Sequence, residues 1–571
     1  MADKSKVAES KKLIQFPRLW FFLTSLRFVF TIIGQRGYIH PDEFFQGLEI
    51  VSANIFNSSA LIYEPWEFKL TDQNKPIRNI LIPYFFYGLP LYLARFLADT
   101  GLIRLKSSLM ILYPRLFMCV SSLLVDYSLA QIADLCDFDK SSVIVAFASS
   151  YITMVYLTHT FSNSIETILF ALLVYYCIRS IKSQYILNEK FLFKSAESKA
   201  SEKKRRPRSW KLLNDSNLMA YFNGANAQMR TEEDEEEEEK RMLVLASPKK
   251  NKNNDNKVKR ICLFDIYKFS CHGNVIGLIT AIGVFNRPTF IIFALVPLAY
   301  WLLYGLDNCN SLRQALSFLR RRLFKLAQLA VPFAALAVLA DTVYYNGITD
   351  LVGIFLFKTT PTRHELIVTP FNFFAYNSNS SNVNQHGHHP FYQHALVNCF
   401  LLFGLNHLLL MFISFNFVYV LIAEQREATR STINMKTMLI SLYTNIINNT
   451  YLYFLLSFLV PLLVFSLVSH QEPRFLLPLL VPMLVLTSHC LFGSLRYSLL
   501  SKAWIVFNLA CFLVYGQAHQ GGVVPSINYV QKLFVHDSNA MMDQHVLYFH
   551  TYMAPRGLAV SPFVDLPWRE H

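Results

Sequence analysis

The chain has 571 residues, of which 53% are hydrophobic and only 16% charged. Soluble proteins carry about 25% charged residues, so a standard soluble enzyme and a disordered scaffold are both excluded. The net charge of +14 comes without any basic-aromatic nucleic-acid module. It reads as loop charge of a multi-span membrane protein, with no nucleic-acid partner.

Apolar runs lie near 13–33, 77–99, 109–133, 142–158, 163–185, 267–286, 289–306, 324–345, 394–422, 451–469, 475–495 and 503–516. Roughly 20 apolar residues span a bilayer as a helix. Runs that are unbroken rather than alternating favour helices over a barrel. The expected fold is an all-α polytopic membrane protein with about 11–13 transmembrane helices. The first run is too long for a signal-peptide core and reads as a retained span. Nine Cys, sparse and without a CxxC pair, speak against a disulfide scaffold or a zinc cluster.

The predicted layout begins with an N-terminal membrane part, 1–185, carrying a polar loop at 34–76. A highly charged segment, 186–261, reads as a disordered cytosolic linker. A C-terminal membrane part, 262–516, carries polar loops at 346–393 and 469–475. A tail, 517–571, follows. Basic residues in the linker, in 313–325, in 424–436 and at Arg496 and Lys502 mark one side as cytosolic. The polar loops and the tail then share the other side. The first half does not close: four runs between 77 and 185 cannot carry the chain from one side to the other. One of the four is re-entrant, interfacial or no span at all, and hydropathy leaves open which.

Where charges are scarce, the few polar clusters at span ends are candidates for chemistry. His40-Pro41-Asp42-Glu43-Phe44-Phe45-Gln46 follows the first run. Its adjacent carboxylates suit a general base, although Pro followed by acids also starts an ordinary helix. Glu64-Pro65-Trp66-Glu67-Phe68 joins acids to an aromatic platform, fit for a sugar face or an interfacial helix. Asn286-Arg287-Pro288-Thr289 breaks two runs with an Arg whose fork suits a phosphate or snorkels to the interface. Ser469-His470-Gln471-Glu472-Pro473-Arg474-Phe475 packs three ionisable groups into a short turn. In the 346–393 loop, His386, His388, His389 and the following His394 lie close together without nearby Cys. Phosphate or sugar binding, or simply a wet loop, is preferred there to a metal site. N-x-[ST] sequons begin at Asn57, Asn214, Asn379 and Asn448, and those at Asn57 and Asn379 fall on the non-cytosolic side.

Taken together and in order, HPDEFFQ, PWEF, the HTFSNS run at 159–164 with Glu166 after it, NRPT and SHQEPRF resemble the integral-membrane mannosyltransferases of glycosyltransferase family 22, of GT-C fold. The resemblance spans most of the chain outside 186–261. It implies a dolichyl-phosphate-mannose donor, no cofactor, and an active site in the lumen of the endoplasmic reticulum. The TPFNFFAYNSN and QHGHHP segments are most similar to members that act on the glycosylphosphatidylinositol (GPI) precursor, adding its fourth mannose. A GPI precursor glycolipid is thus the implied acceptor. A sister transferase acting on the third GPI mannose or on the N-glycan precursor is the alternative, and a multi-span lipid or sugar transporter a more distant one. The implied reaction inverts the sugar carbon and needs one base. Asp42 is the expected base, with Glu43 in reserve or as an orienting partner. His40, Gln46, Trp66, Glu67, Arg287, His386, His388, His389, His470, Glu472 and Arg474 are the expected substrate-binding residues. No metal is expected.

Overall fold

The computed structural model describes residues 16–57, 62, 64–71, 75–201, 272–306, 309, 311–348, 366–379, 381–382, 387–429, 449–493, 499–536 and 551–559. Most of the charged 186–261 segment, His386, and the loop residues 349–365 lie outside them. The protein is all-helical, with no strand among the described residues. The chain divides into two units, residues 182–271 and the remainder. Of the 182–271 unit only the end of one helix is described, reaching Ser201 and so continuing past the expected span end at 185.

The helices in chain order are α1 Arg18–Ile33, α2 Glu49–Ile55, α3 Leu81–Asp99, α4 Ser107–Cys136, α5 Lys140–Ala148, α6 Tyr151–Thr158 and α7 Ser162–Ser201. There follow α8 Gly273–Asn286, α9 Phe290–Leu303, α10 Leu312–Asn346, α11 Thr369–Asn377, α12 Gln393–Phe403 and α13 Leu405–Thr429. The last are α14 Thr450–Ser466, α15 Pro473–Phe492, α16 Leu499–Leu513, α17 Val523–His536 and α18 Arg556–Ala559. Among the described residues six helices are long and apolar enough to cross a membrane, or seven if the pair α5–α6, bent by 55°, counts as one span. Five more apolar helices are shorter, at 10–17 residues. A 14-residue helix such as α8 reaches about 21 Å, less than a bilayer core of about 30 Å. The apolar runs of the sequence are therefore largely present, but several are shorter than hydropathy alone implies. Exposed Leu316, Leu323, Phe324, Val331 and Leu336 along α10 form the apolar exterior that lipid, not water, would cover.

Ion pairs set the direction of α4 against α1. Asp126 accepts from Trp20 Nε1 at 2.7 Å and pairs with Arg27 at 2.8 Å. Arg115, three turns earlier in α4, donates to the Gln35 carbonyl beyond the other end of α1 at 2.9 Å. The two helices thus run antiparallel. The end bearing residues 35–46 is called the motif end below.

The α3 run departs from the expected crossing. At its start Asn79 and the Ile80 N–H bond Asp341 near the motif-end terminus of α10. Past its finish the Ser107 N–H bonds Gln531 of α17 at 2.8 Å, and His519, just before α17, bonds Tyr38. Both flanks of α3 are therefore fastened at the motif end. Phe85, Leu89, Tyr92, Leu93 and Phe96 are exposed while Leu91 and Ala94 are buried. The outward face is thus as apolar as the inward one.

The Arg27–Asp126 pair is sealed from solvent on both sides. Removing one partner leaves an uncompensated buried charge, at about 3–5 kcal/mol. Arg27→Met is expected to lower the unfolding temperature of the detergent-solubilised protein strongly. Arg27→Met with Asp126→Leu should recover much of the loss. Equal Tm values for the single and double variants would contradict the pairing.

Candidate active site

The loop after α1 is placed by backbone contacts. The Gly37 N–H donates to the Gly516 carbonyl, and the Tyr38 N–H to that of His519, both at 2.9 Å. A Cβ on Gly37 would stand 1.9 Å from the Tyr515 carbonyl oxygen, so only glycine allows this approach. Tyr38 is fully buried and its hydroxyl donates to the Met553 carbonyl at 2.9 Å. From that anchor the chain turns through His40-Pro41 into a wide helical turn over Phe44–Leu48.

The turn sends the two adjacent acids different ways. Glu43 faces inward and is fully buried, with Arg115 Nε and Nη2 on one oxygen at 2.8 and 2.7 Å. Burial pushes its carboxyl up from the ordinary range, more than Arg115 pulls it down. Thr160 Oγ1 holds its carbonyl at 2.9 Å. Glu43 is therefore an internal brace between the turn and Arg115.

Asp42 faces a partly open space. Arg474 Nη1 stands 2.5 Å from its Oδ2, and Gln46 Nε2 donates to the same oxygen. His40 Nδ1 lies 3.4 Å from Oδ1 and accepts the Asp42 N–H at 3.2 Å. Arg474 also holds Glu472 through its Nε. His470 Nε2 bonds the other Glu472 oxygen at 2.8 Å, and His40 Nε2 comes within 3.7 Å of Glu472. Burial works to raise both carboxyls, but Arg474 overrides it for each, helped by His40 at Asp42 and by His470 at Glu472. Both acids are held well below the usual carboxylate range. The stability from these pairs is present above the unfolded carboxylate range of about 4 and is lost only as pH falls far below it.

A second set of contacts extends the cluster. Gln46 Oε1 accepts from Ser162 Oγ at 2.9 Å. Arg287 Nη1 donates to the same hydroxyl at 3.1 Å, and its Nε lies 3.8 Å from Glu166. Burial and neighbouring Arg78 push the Arg287 guanidinium down to about 10. The Phe475 ring lies between two cations, 5.3 Å from the Arg287 and 5.5 Å from the Arg474 guanidinium carbon. The 159–166, 286–289 and 469–475 segments thus meet the 40–46 turn.

The remaining expected residues are placed less uniformly. The His389 N–H donates to the Ser469 carbonyl at 2.8 Å, and its ring accepts from the Gln471 N–H at 3.3 Å. It therefore buttresses the 469–475 turn, its ring 6.0 Å from that of His470. His388 is exposed, and no contact among the described residues joins it to the cluster. Trp66 packs on Tyr376 of α11 with ring centroids 4.6 Å apart. Glu67 pairs with Arg78 at 2.8 Å. Sequence reasoning missed Arg78, Arg115 and Ser162. The first two are lone cations near apolar runs, and such a charge calls for a partner. Nothing in its local sequence singles out Ser162 beyond its place in HTFSNS. No group of three or more His, Cys, Asp or Glu side chains among the described residues has metal-binding geometry.

A helical, lipid-facing bundle with an acid, two guanidinium groups and histidines converging at one end has the makeup of a membrane-embedded transferase. The comparisons with known proteins narrow the class. The model of the Alg9-like mannosyltransferase family matches residues 18–557, and the chain belongs to that family. It is a glycosyltransferase. Curated relatives include the Homo sapiens protein named GPI alpha-1,2-mannosyltransferase 4, 27% identical over 96% of this chain and 77% of its own. GPI mannosyltransferase 4 of Drosophila melanogaster is 26% identical over 95% of this chain and 72% of its own. The Schizosaccharomyces pombe protein of that name is 25% identical over 94% and 72%. No solved structure matches the chain.

The brace role of Glu43 separates two variants. Arg115→Ala strands a buried carboxylate and should cost about 3–5 kcal/mol of stability. Glu43→Gln keeps a polar partner for Arg115 and should cost clearly less. Thermal unfolding of the two purified variants checks this; a Glu43→Gln protein less stable than Arg115→Ala would contradict the assignment.

Proposed function

We propose that this protein is an inverting α-1,2-mannosyltransferase. It moves mannose from dolichyl-phosphate-mannose to the third mannose of the GPI precursor, adding the fourth, at the luminal face of the endoplasmic reticulum membrane. The names of the curated relatives support the acceptor. The observation that carries the chemistry is the Arg474 guanidinium shared between Asp42 and Glu472.

In the reaction the acceptor 2-hydroxyl oxygen bonds to the mannose anomeric carbon as the bond from that carbon to the phosphate oxygen breaks. The hydroxyl proton passes to Asp42, and dolichyl phosphate leaves as an anion that needs no proton. One base and a cationic phosphate site are sufficient, unlike the paired acids of a glycoside hydrolase. An Asp42 held by Arg474 is a weak base. The donor phosphate competes for the Arg474 fork, since Arg binds phosphate as readily as carboxylate. Its arrival loosens Asp42 and raises its basicity. Base activation is thereby tied to donor binding, which protects the site from acting without donor. Arg287 and His470 are the further groups assigned to the same phosphate. Trp66, Tyr376 and Glu67 suit the acceptor sugars.

The same reading orients the chain. With α3 lying along the motif face, three crossings remain between the 34–76 loop and residue 186: α4, the bent α5–α6 pair and α7. An odd number carries the chain from a luminal motif end to a cytosolic charged segment. That removes the even count left by hydropathy.

Depleting the protein from cells should cause a three-mannose GPI precursor to accumulate. Membranes containing it should transfer radiolabelled mannose from dolichyl-phosphate-mannose onto that lipid. Accumulation of a two-mannose GPI precursor or of a truncated N-glycan lipid would move the acceptor assignment to a sister reaction.

A further inference from the structure

Asp341 is a carboxylate without an ion pair among the described residues. It is fully buried near the end of α10. Neutral donors converge on it instead. Asn79 Nδ2 reaches both oxygens at 2.9 and 3.0 Å, the Ile80 N–H donates at 2.9 Å, and Thr369 Oγ1 at 2.8 Å. A buried charge is a costly way to fasten loops unless the strength of charge-assisted hydrogen bonds is needed.

What it fastens is the backbone beside Arg78. Asn79 and Ile80 follow that residue directly, and Tyr345, one turn beyond Asp341, donates its hydroxyl to the Arg78 carbonyl at 2.7 Å. Asn372 of α11 donates to the Pro76 carbonyl at 2.9 Å on the other side. Backbone bonds thus hold the loop on both sides of Arg78.

The Arg78 side chain is itself buried. One Nη2 goes to Glu67, and its Nε has no partner among the described residues. Ile80, two residues on, packs with Ile50 in the helix that follows the Asp42 turn, and Pro83 and Tyr87 lie against Gly47 of that turn. The loop carrying Arg78 therefore borders the turn that meets Arg287 and Arg474, and its charge favours the ionised form of Asp42 and disfavours that of Arg287. Crowding like charges away from water is unfavourable until an anion joins them. The acids present are already committed: Glu67 to Arg78, Glu166 to Arg287, Asp42 and Glu472 to Arg474.

We propose that Arg78 is a further guanidinium of the donor-phosphate site, and that Asp341 is the positioning residue that holds it there. The inference rests on the phosphate-site reading given under Proposed function. It adds to that reading a binding residue and a remote clamp. Asp341 touches no substrate; it acts through the 78–80 backbone.

The test uses the full-length protein in membranes lacking other copies of the enzyme, with dolichyl-phosphate-[3H]mannose varied against a saturating three-mannose acceptor. Arg78→Ala should raise the donor KM about tenfold to a hundredfold, the usual weight of one charge-assisted hydrogen bond. Arg78→Lys should restore part of it, because the charge stays and the fork is lost. Asp341→Asn should show the same split, with donor KM raised and acceptor KM little changed. Tyr345→Phe loosens the same backbone without touching a buried charge. It should raise donor KM a few-fold even if Asp341→Asn fails to fold. An unchanged donor KM in Arg78→Ala overturns the binding role. A fall in kcat with both KM values unchanged in Asp341→Asn and Tyr345→Phe overturns the positioning role. Arg474→Ala is the control: if its donor KM is also unchanged, the phosphate-site reading itself fails. If it rises while that of Arg78→Ala does not, this inference alone fails.

Discussion

The site depends on one guanidinium. Asp42 and Glu472 come from turns more than 400 residues apart in sequence, and each would repel the other in a half-buried setting. Arg474 lies against both and turns the repulsion into a bridge. Without it one acid would take up a proton or the two turns would separate. The bridge has a chemical consequence as well. In the proposed mechanism it keeps Asp42 a weak base until the phosphodiester of the donor competes for the guanidinium.

The rest of the bundle serves to hold those two turns in register. The Glu43–Arg115 brace ties the first turn to α4, while Arg27 and Asp126 fix α4 against α1 further along. The segment around 516–519 closes on Gly37 and Tyr38, where only glycine leaves enough room. The second turn is held from another direction: Gln471 donates to the Ser466 and Val468 carbonyls and accepts the His394 N–H. In an apolar surround each such bond is hard to replace, because no water stands ready to substitute.

The candidate cluster was legible in the sequence because the chain is so poor in charge. Where only 16% of residues are ionisable acids and bases, a His, a Glu and an Arg within five positions stand out. So do paired acids after a span. Their convergence was not legible, since it depends on helix direction and packing. Hydropathy could not show that α3 lies along one face, because it measures how apolar a run is and not which way it points. Buried single charges, Arg27, Arg78, Arg115, Asp126 and Asp341, were passed over for a related reason. Each lies alone in its local sequence, and its partner or its bonded loop is supplied by a segment far away. His388 stood out through composition; it is exposed, beside a His389 that bonds the 469–475 turn.

The central claim is that Asp42, not its neighbour, takes the acceptor's proton. The direct measurement is single-turnover mannose transfer by Asp42→Asn and Glu43→Gln, with both proteins confirmed folded and present at equal amounts. Loss of a general base costs about 10²–10⁴-fold. The account predicts that loss for Asp42→Asn and a much smaller one for Glu43→Gln. Near-normal transfer by Asp42→Asn would contradict it.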